Sequence, residues 1–221
     1  MRYNLIRMEL RPNKFKLIAG DLSLDLVNTA SGWQRTERGY VPAADSFADV
    51  GDLVSWALKA NAIDEKAARR IVKDAEKQAA GGSSLRRARK LRAVIFGSSI
   101  AMAAGEAPRS SDIECLEKER VRALEHQKLE YAGGRFELKH RRDAGPLDAI
   151  LDAVVLAAID LFTSDRAKRI RICGGESCGW LFVDDSRGRN RHWCDMRDCG
   201  NLAKVRRFRK KAANDGRDPQ N

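Results

Sequence analysis

The sequence predicts a mainly α chain with small β elements (α+β), a helical N-terminal domain followed by a small C-terminal module built around cysteines. Three observations carry this. Apolar residues recur at spacings of three and four through most of the first 165 positions. Four of the five cysteines fall within 27 residues near the C-terminus, and positive charge is concentrated in the same stretch.

Taken in order, residues 15–29, FKLIAGDLSLDLVNT, show partial alternation around Leu22, Leu24 and Leu26. They read as one or two short strands turning at Ala19-Gly20-Asp21. The polar stretch from Ser31 to Pro42 reads as a loop. Asp49 is placed to cap a helix carrying Leu53, Val54, Trp56 and Ala57, and Asp64 another carrying Ala67, Ala68, Ile71, Val72 and Ala75. Gly81-Gly82-Ser83-Ser84 then separates these from a longer helix with Leu85, Ala88, Leu91, Ile95, Phe96 and Met102 on one face.

A further helix starts near Ser110 with Ile113, Leu116 and Leu124. Leu129 to His140 reads as a hairpin turning at Ala132-Gly133-Gly134. The clearest helix follows: Pro146 suits its first turn, and Leu147, Ile150, Leu151, Val154, Val155, Ala158, Ile159 and Phe162 share one stripe. The expected core therefore includes Trp56, Leu91, Phe96, Val154 and Ile159. Polar residues from Thr163 to Lys168 mark a boundary, which divides the chain into a helical domain (1–165), a cysteine module (166–213) and a disordered polar tail (214–221).

A length of 221 residues with 43% hydrophobic content is enough for a full core and excludes disorder throughout. The best apolar run, Ala153 to Ile159, is too short to cross a membrane, and Arg2, Arg7, Glu9 and Arg11 break up any signal-peptide core. The chain reads as cytoplasmic. In that reducing compartment cysteines are thiols or metal ligands, whereas an exported chain would pair them as disulfides. Cys115, apart from the others, reads as a small buried apolar residue.

The cluster has the form C-x4-C, fifteen residues, C-x4-C, from Cys173 and Cys178 to Cys194 and Cys199. Thiolates bind zinc tetrahedrally and need two pairs delivered from different elements. Trp180-Leu181-Phe182-Val183 reads as a strand, Asp184 to Asn190 as a turn, Arg191-His192-Trp193 as a return strand, and Ala203 to Ala213 as a helix. This is a treble-clef-like arrangement around one structural zinc ion per chain. Four cysteines fill the coordination sphere, which argues for folding and not catalysis. His192 is a competing ligand, though its place beside Trp193 suits a strand residue.

The stretch CGGESCGWLFVDDSRGRNRHWCDMRDCGNLAKVRRFRKK resembles the CGNR zinc-finger family, and LDLVNT at 24–29, the Trp56 helix and the apolar helix before the cysteines resemble the ABATE domain that precedes it there. The resemblance implies a stress-induced transcriptional regulator with Cys173, Cys178, Cys194 and Cys199 as zinc ligands. Leu202 follows Cys199-Gly200-Asn201 where that family has arginine, so a phosphate contact from this position does not carry over.

The chain has a formal charge of +11, and the 26 residues from Ser186 to Lys211 hold +8 of it. Arg187, Arg189, Arg191, Arg197, Lys204, Arg206, Arg207, Arg209, Lys210 and Lys211 face only Asp195 and Asp198. Clustered cations release counterions from nucleic acid, so a DNA partner is expected, with RNA or protein as the alternative, and homo-oligomers are compatible with the sequence. A second run, Arg86, Arg87, Arg89, Lys90 and Arg92, reads as a solvated helix face. No G-x-S-x-G or phosphate-loop pattern is present, so the chain is not expected to be an enzyme. Asp25 and Asn28 either line a ligand pocket, which would leave an activity in the large domain open, or brace the backbone.

Overall fold

Asp21 starts the first α-helix of the computed structural model, which describes residues 10–78, 81–141, 144–176 and 178–214. Its carboxylate accepts the Ser23 N–H at 2.9 Å and caps helix α1 (Leu22–Val27). The strands expected within residues 15–29 are therefore replaced, from Leu22 on, by a helix. The physical reason is burial: every residue from Ser23 to Val27 is buried, and α1 packs against two other helices, so the segment has no solvent face whose period would distinguish helix from strand.

Four short strands follow: β1 (Ala30–Ser31), β2 (Gln34–Thr36), β3 (Gly39–Val41) and β4 (Ala44–Asp45). They form two antiparallel pairs, β1 with β4 and β2 with β3, where the sequence suggested a plain loop. Tyr40 holds this excursion in place by packing its ring edge-on to Phe96 at 5.1 Å, and Trp33 stacks on the same ring at 4.5 Å.

Helices α2 (Val50–Lys59) and α3 (Glu65–Gln78) start where the sequence placed caps: Asp49 accepts from Asp52 N at 3.0 Å and Asp64 from Ala67 N at 2.7 Å. Helix α4 (Gly81–Ala103) already includes the glycine-serine stretch expected to separate it from α3. Then come α5 (Ser110–Glu125), the hairpin β5 (Gln127–Ala132) and β6 (Arg135–His140), and α6 (Pro146–Thr163). Trp56, Leu91, Phe96 and Val154 are buried, and Ile159 is partly buried against them.

Helix α4 is packed on several sides, which corrects the reading of its basic run as a solvated face. Arg92 is 1% exposed, ion-paired to Asp45 at 2.7 Å and bonded to the Thr29 hydroxyl at 2.8 Å. Arg87 is likewise enclosed by Glu119, Asp148 and Asp152. Only Arg86, Arg89 and Lys90 remain at the surface.

The C-terminal module opens with β7 (Ile170–Ile172), antiparallel to β8 (Leu181–Val183), and closes with α7 (Asn201–Asn214). The partner of β8 is thus the upstream β7, and residues 191–193 form no return strand. Period-2 alternation divides β8 between two cores: Leu181 and Val183 join the large helical core, while Phe182 packs with Cys173 and Cys194. The tail expected to be disordered lies, from residue 215 on, outside the described residues.

Candidate metal centre and basic surface

The first cysteine pair sits on a knuckle after β7, and the second at the entry to α7. Cys173 N donates to Trp180 O at 2.8 Å, closing the knuckle, and Gly174 N donates to His192 O at 3.0 Å, docking it on the segment before Cys194. Gly175 approaches the site so closely that a Cβ there would lie 3.1 Å from Cys199 Sγ, and Gly179 turns the chain with φ +65°. A π-helical turn, Met196–Gly200, carries Cys199 and runs directly into α7.

The four sulfur atoms lie within 4.8 Å of one another. Cys194 Sγ is 3.6 Å from both Cys178 Sγ and Cys199 Sγ. Tetrahedral zinc with bonds of about 2.3 Å requires sulfurs roughly 3.75 Å apart, whereas a disulfide requires about 2.05 Å. The spacing fits the metal and not the bridge, and all the cysteines are free thiols. Two backbone N–H groups, Cys194 at 3.3 Å and Gly175 at 3.5 Å, point at Cys173 Sγ, as donors do toward a bound thiolate.

Electrostatics agree. Burial pushes the Cys178 thiol up to about 12 and raises the Cys194 thiol as well, so these two resist ionisation without a cation to compensate them. Burial acts on Cys173 in the same sense, but the N–H groups of Cys194 and Gly175 together with the thiols of Cys194 and Cys178 hydrogen-bond its sulfur and bring that thiol below its ordinary value. A bound dication would supply the missing positive charge at Cys178 and Cys194. His192 is exposed and lies outside the converging group.

The residues read as a polyanion surface divide in two. Arg187 and Arg189 are exposed on the loop after β8, and Lys204, Arg206, Arg207, Arg209, Lys210 and Lys211 are exposed along α7. Arg206 also pairs with Glu176 at 2.9 Å. Arg191 is used internally: its guanidinium stacks on Phe182 at 4.3 Å and donates to the carbonyls of Ile18, Trp193 and Cys194. Leu202, Val205 and Phe208 form an exposed apolar stripe beside the basic face of α7.

Asp25 and Asn28 are both buried on α1 and at its end, and both bind backbone. Asp25 Oδ1 accepts from Ile18 N at 2.9 Å and Ala19 N at 3.0 Å. Asn28 clamps Leu181, donating to its carbonyl at 2.8 Å and accepting its N–H at 2.9 Å. This joins the helical domain to β8, next to Val183 N donating to Ala19 O at 2.8 Å and the Lys16–Asp198 ion pair. A cleft of about 370 Å³ lies elsewhere, between the β2–β3 hairpin and α4–α5, with Arg35, Tyr40, Arg109 and Asp112 on its walls.

One constellation went unread in the sequence: His126, His140 and Asp152 converge beside Arg87. Its only linear signal is that two of the chain's three histidines stand at the two ends of the β5–β6 hairpin.

Fold and donor set together define a zinc-finger protein with a helical N-terminal domain. Residues 20–165 match the ABATE family, described as "Putative stress-induced transcription regulator", and residues 169–212 match the CGNR zinc finger. The chain belongs to the ABATE family and carries a CGNR zinc finger after that domain. Comparison with curated proteins finds no match. No helix among the described residues is long and apolar enough to cross a membrane.

Proposed function

We propose that the chain is a cytoplasmic transcriptional regulator that binds duplex DNA through its zinc module, with one structural zinc ion organising the binding surface. The observation that carries this reading is the basic face of α7: six cations on an exposed helix that runs directly out of the turn carrying Cys199. Phosphate contacts supply most of the affinity through counterion release, which makes binding fall steeply with salt. Arg187 and Arg189 extend the surface at the adjoining loop. The reading assigns no catalysis, because four thiolates leave zinc no open position.

The test is binding to genomic DNA fragments over a salt series. Replacing Arg206, Arg207, Lys210 and Lys211 by alanine is expected to weaken binding across sequences and flatten the salt dependence. Replacing Arg86 and Lys90 on α4 is expected to change little. If the zinc-loaded protein ignores DNA at low salt, the reading fails. The exposed Leu202–Val205–Phe208 stripe then favours a protein or RNA partner for the same module.

The helical domain is assigned a sensing or assembly role. Assembly is supported by the β5–β6 hairpin, where Leu129 pairs with Leu138 and Tyr131 with Phe136 across the strands. All four are 63–69% exposed. Such a cluster suits the centre of an interface with a second copy, and sensing is supported by the Arg35–Arg109–Asp112 cleft.

A further inference from the structure

The base of that hairpin holds a second cluster of metal-binding side chains. His126 caps the C-terminus of α5, His140 ends β6, and Asp152 lies on α6. Pairing brings the histidines together: Gln127 is opposite His140, and Arg141 N donates to His126 O at 2.7 Å. His126 Nδ1 lies 2.6 Å and His140 Nε2 3.0 Å from the same oxygen, Asp152 Oδ2. Asp152 is 3% exposed, whereas the histidines are 21% and 26% exposed, so the buried carboxylate sits behind two imidazoles that reach solvent.

The second oxygen, Asp152 Oδ1, accepts from Arg87 Nη2 at 2.9 Å. Arg87 also reaches Glu119 and Asp148, and Arg122 reaches Asp148 at 2.9 Å. Three carboxylates, Glu119, Asp148 and Asp152, thus face the guanidinium groups of Arg87 and Arg122.

We propose that His126, His140 and Asp152 form a second metal site, one that takes a single first-row divalent cation such as zinc, cobalt or nickel. Two imidazole nitrogens and a carboxylate oxygen suit these ions and not magnesium or calcium, which prefer all-oxygen sites. An ion about 2.1 Å from each donor needs donors roughly 3.0–3.4 Å apart. His140 already stands at that separation from Asp152, and His126, at 2.6 Å, has to withdraw by roughly 0.4–0.8 Å. The exposed sides of the imidazoles leave the remaining coordination positions to water. Arg87 holds the carboxylate from behind, as outer partners of metal ligands do. Without an ion the same groups make a hydrogen-bonded clamp with both imidazoles donating to Oδ2.

The three ligands come from three elements, so an ion would tie the end of α5 and the base of the hairpin to α6. Occupancy would therefore stiffen the hairpin that presents Leu129, Tyr131, Phe136 and Leu138. The site is independent of DNA binding, which is measured separately and stands or falls by its own test.

The experiment uses the full chain with zinc already in the cysteine site and cobalt(II) as the probe, followed by calorimetry and absorption. One further equivalent is expected, weaker than the first, with ligand-field bands but without the sulfur-to-cobalt charge transfer of a thiolate site. His126→Asn and His140→Gln keep an N–H donor at the position of the bonding nitrogen, so the clamp and the fold persist while the ligand is lost. Each is expected to weaken the second equivalent at least about tenfold with the first intact. Absence of a second equivalent with cobalt, nickel and zinc, or its survival in the double variant, would overturn the proposal.

Discussion

Replacing Asn28 by alanine tests how the helical domain holds the zinc module. The side-chain amide makes both hydrogen bonds of the Leu181 peptide groups that face α1, one donated at 2.8 Å and one accepted at 2.9 Å, in a fully buried setting. Alanine leaves that N–H and that carbonyl without partners between two apolar cores. Each stranded group costs about 1–3 kcal/mol, and with partial relaxation the pair costs about 3 kcal/mol. For a chain of this size that corresponds to a melting temperature lower by roughly 6–12 °C. The neighbouring Trp180 carbonyl accepts from Cys173 N, so a loosened β8 should also release zinc faster to a competing chelator. Calorimetry and chelator kinetics on the zinc-loaded protein read both effects. Asn28→Asp keeps the acceptor but turns a carboxylate oxygen toward the Leu181 carbonyl, so it should be no less damaging. A melting point within about 2 °C of the parent, with zinc release unchanged, would refute the clamp.

Cys173→Ser removes a sulfur on which two backbone N–H groups converge, and the variant is expected to lose the one zinc per chain that elemental analysis should find in the parent. Retention of full zinc content would count against the four-cysteine site. Burial raises the Asp25 carboxyl to about 6, against the pull of the Ala19 and Ile18 N–H groups, from an ordinary value of 3.8. The native state therefore binds this proton more tightly than the unfolded chain does. Stability from this group is full below about pH 4, falls as pH rises to about 6, and is level above that. Asp25→Asn should remove this slope, a relative change of up to about 3 kcal/mol between pH 4 and pH 7 in urea titrations, and parallel pH profiles for the two proteins would exclude it. Arg92→Met breaks a buried pair with Asp45 and a contact with the Phe47 ring at 5.3 Å. A loss of about 3 kcal/mol is expected by chemical denaturation, and a change below about 1 kcal/mol would show that the pair contributes little.

Much of this protein is written locally. Helix α6 is legible because its apolar residues recur at spacings of three and four behind Pro146, and the caps at Asp49 and Asp64 are legible because capping acts over three residues. The metal centre is legible because a tetrahedral thiolate site constrains cysteine spacing more tightly than packing constrains most residues. The charge of α7 needed only counting.

The remainder depended on which surfaces meet. Helix α1 was unreadable because burial on all sides erases periodicity, and β8 took its partner from β7 because Leu181 and Val183 have a large core to enter on that side. Arg187, Arg191 and Arg207 look alike in a string of basic residues, yet Phe182 and three carbonyls make Arg191 internal while the other two face solvent. His126 and Asp152 are 26 residues apart, and only the packing of α5 against α6 brings them within 2.6 Å. Sequence by itself determined the four thiolate donors, the helices after α1 and the charge; tertiary structure decided which polar groups are consumed in holding the fold, because desolvation acts on a side chain only after its neighbours are in place.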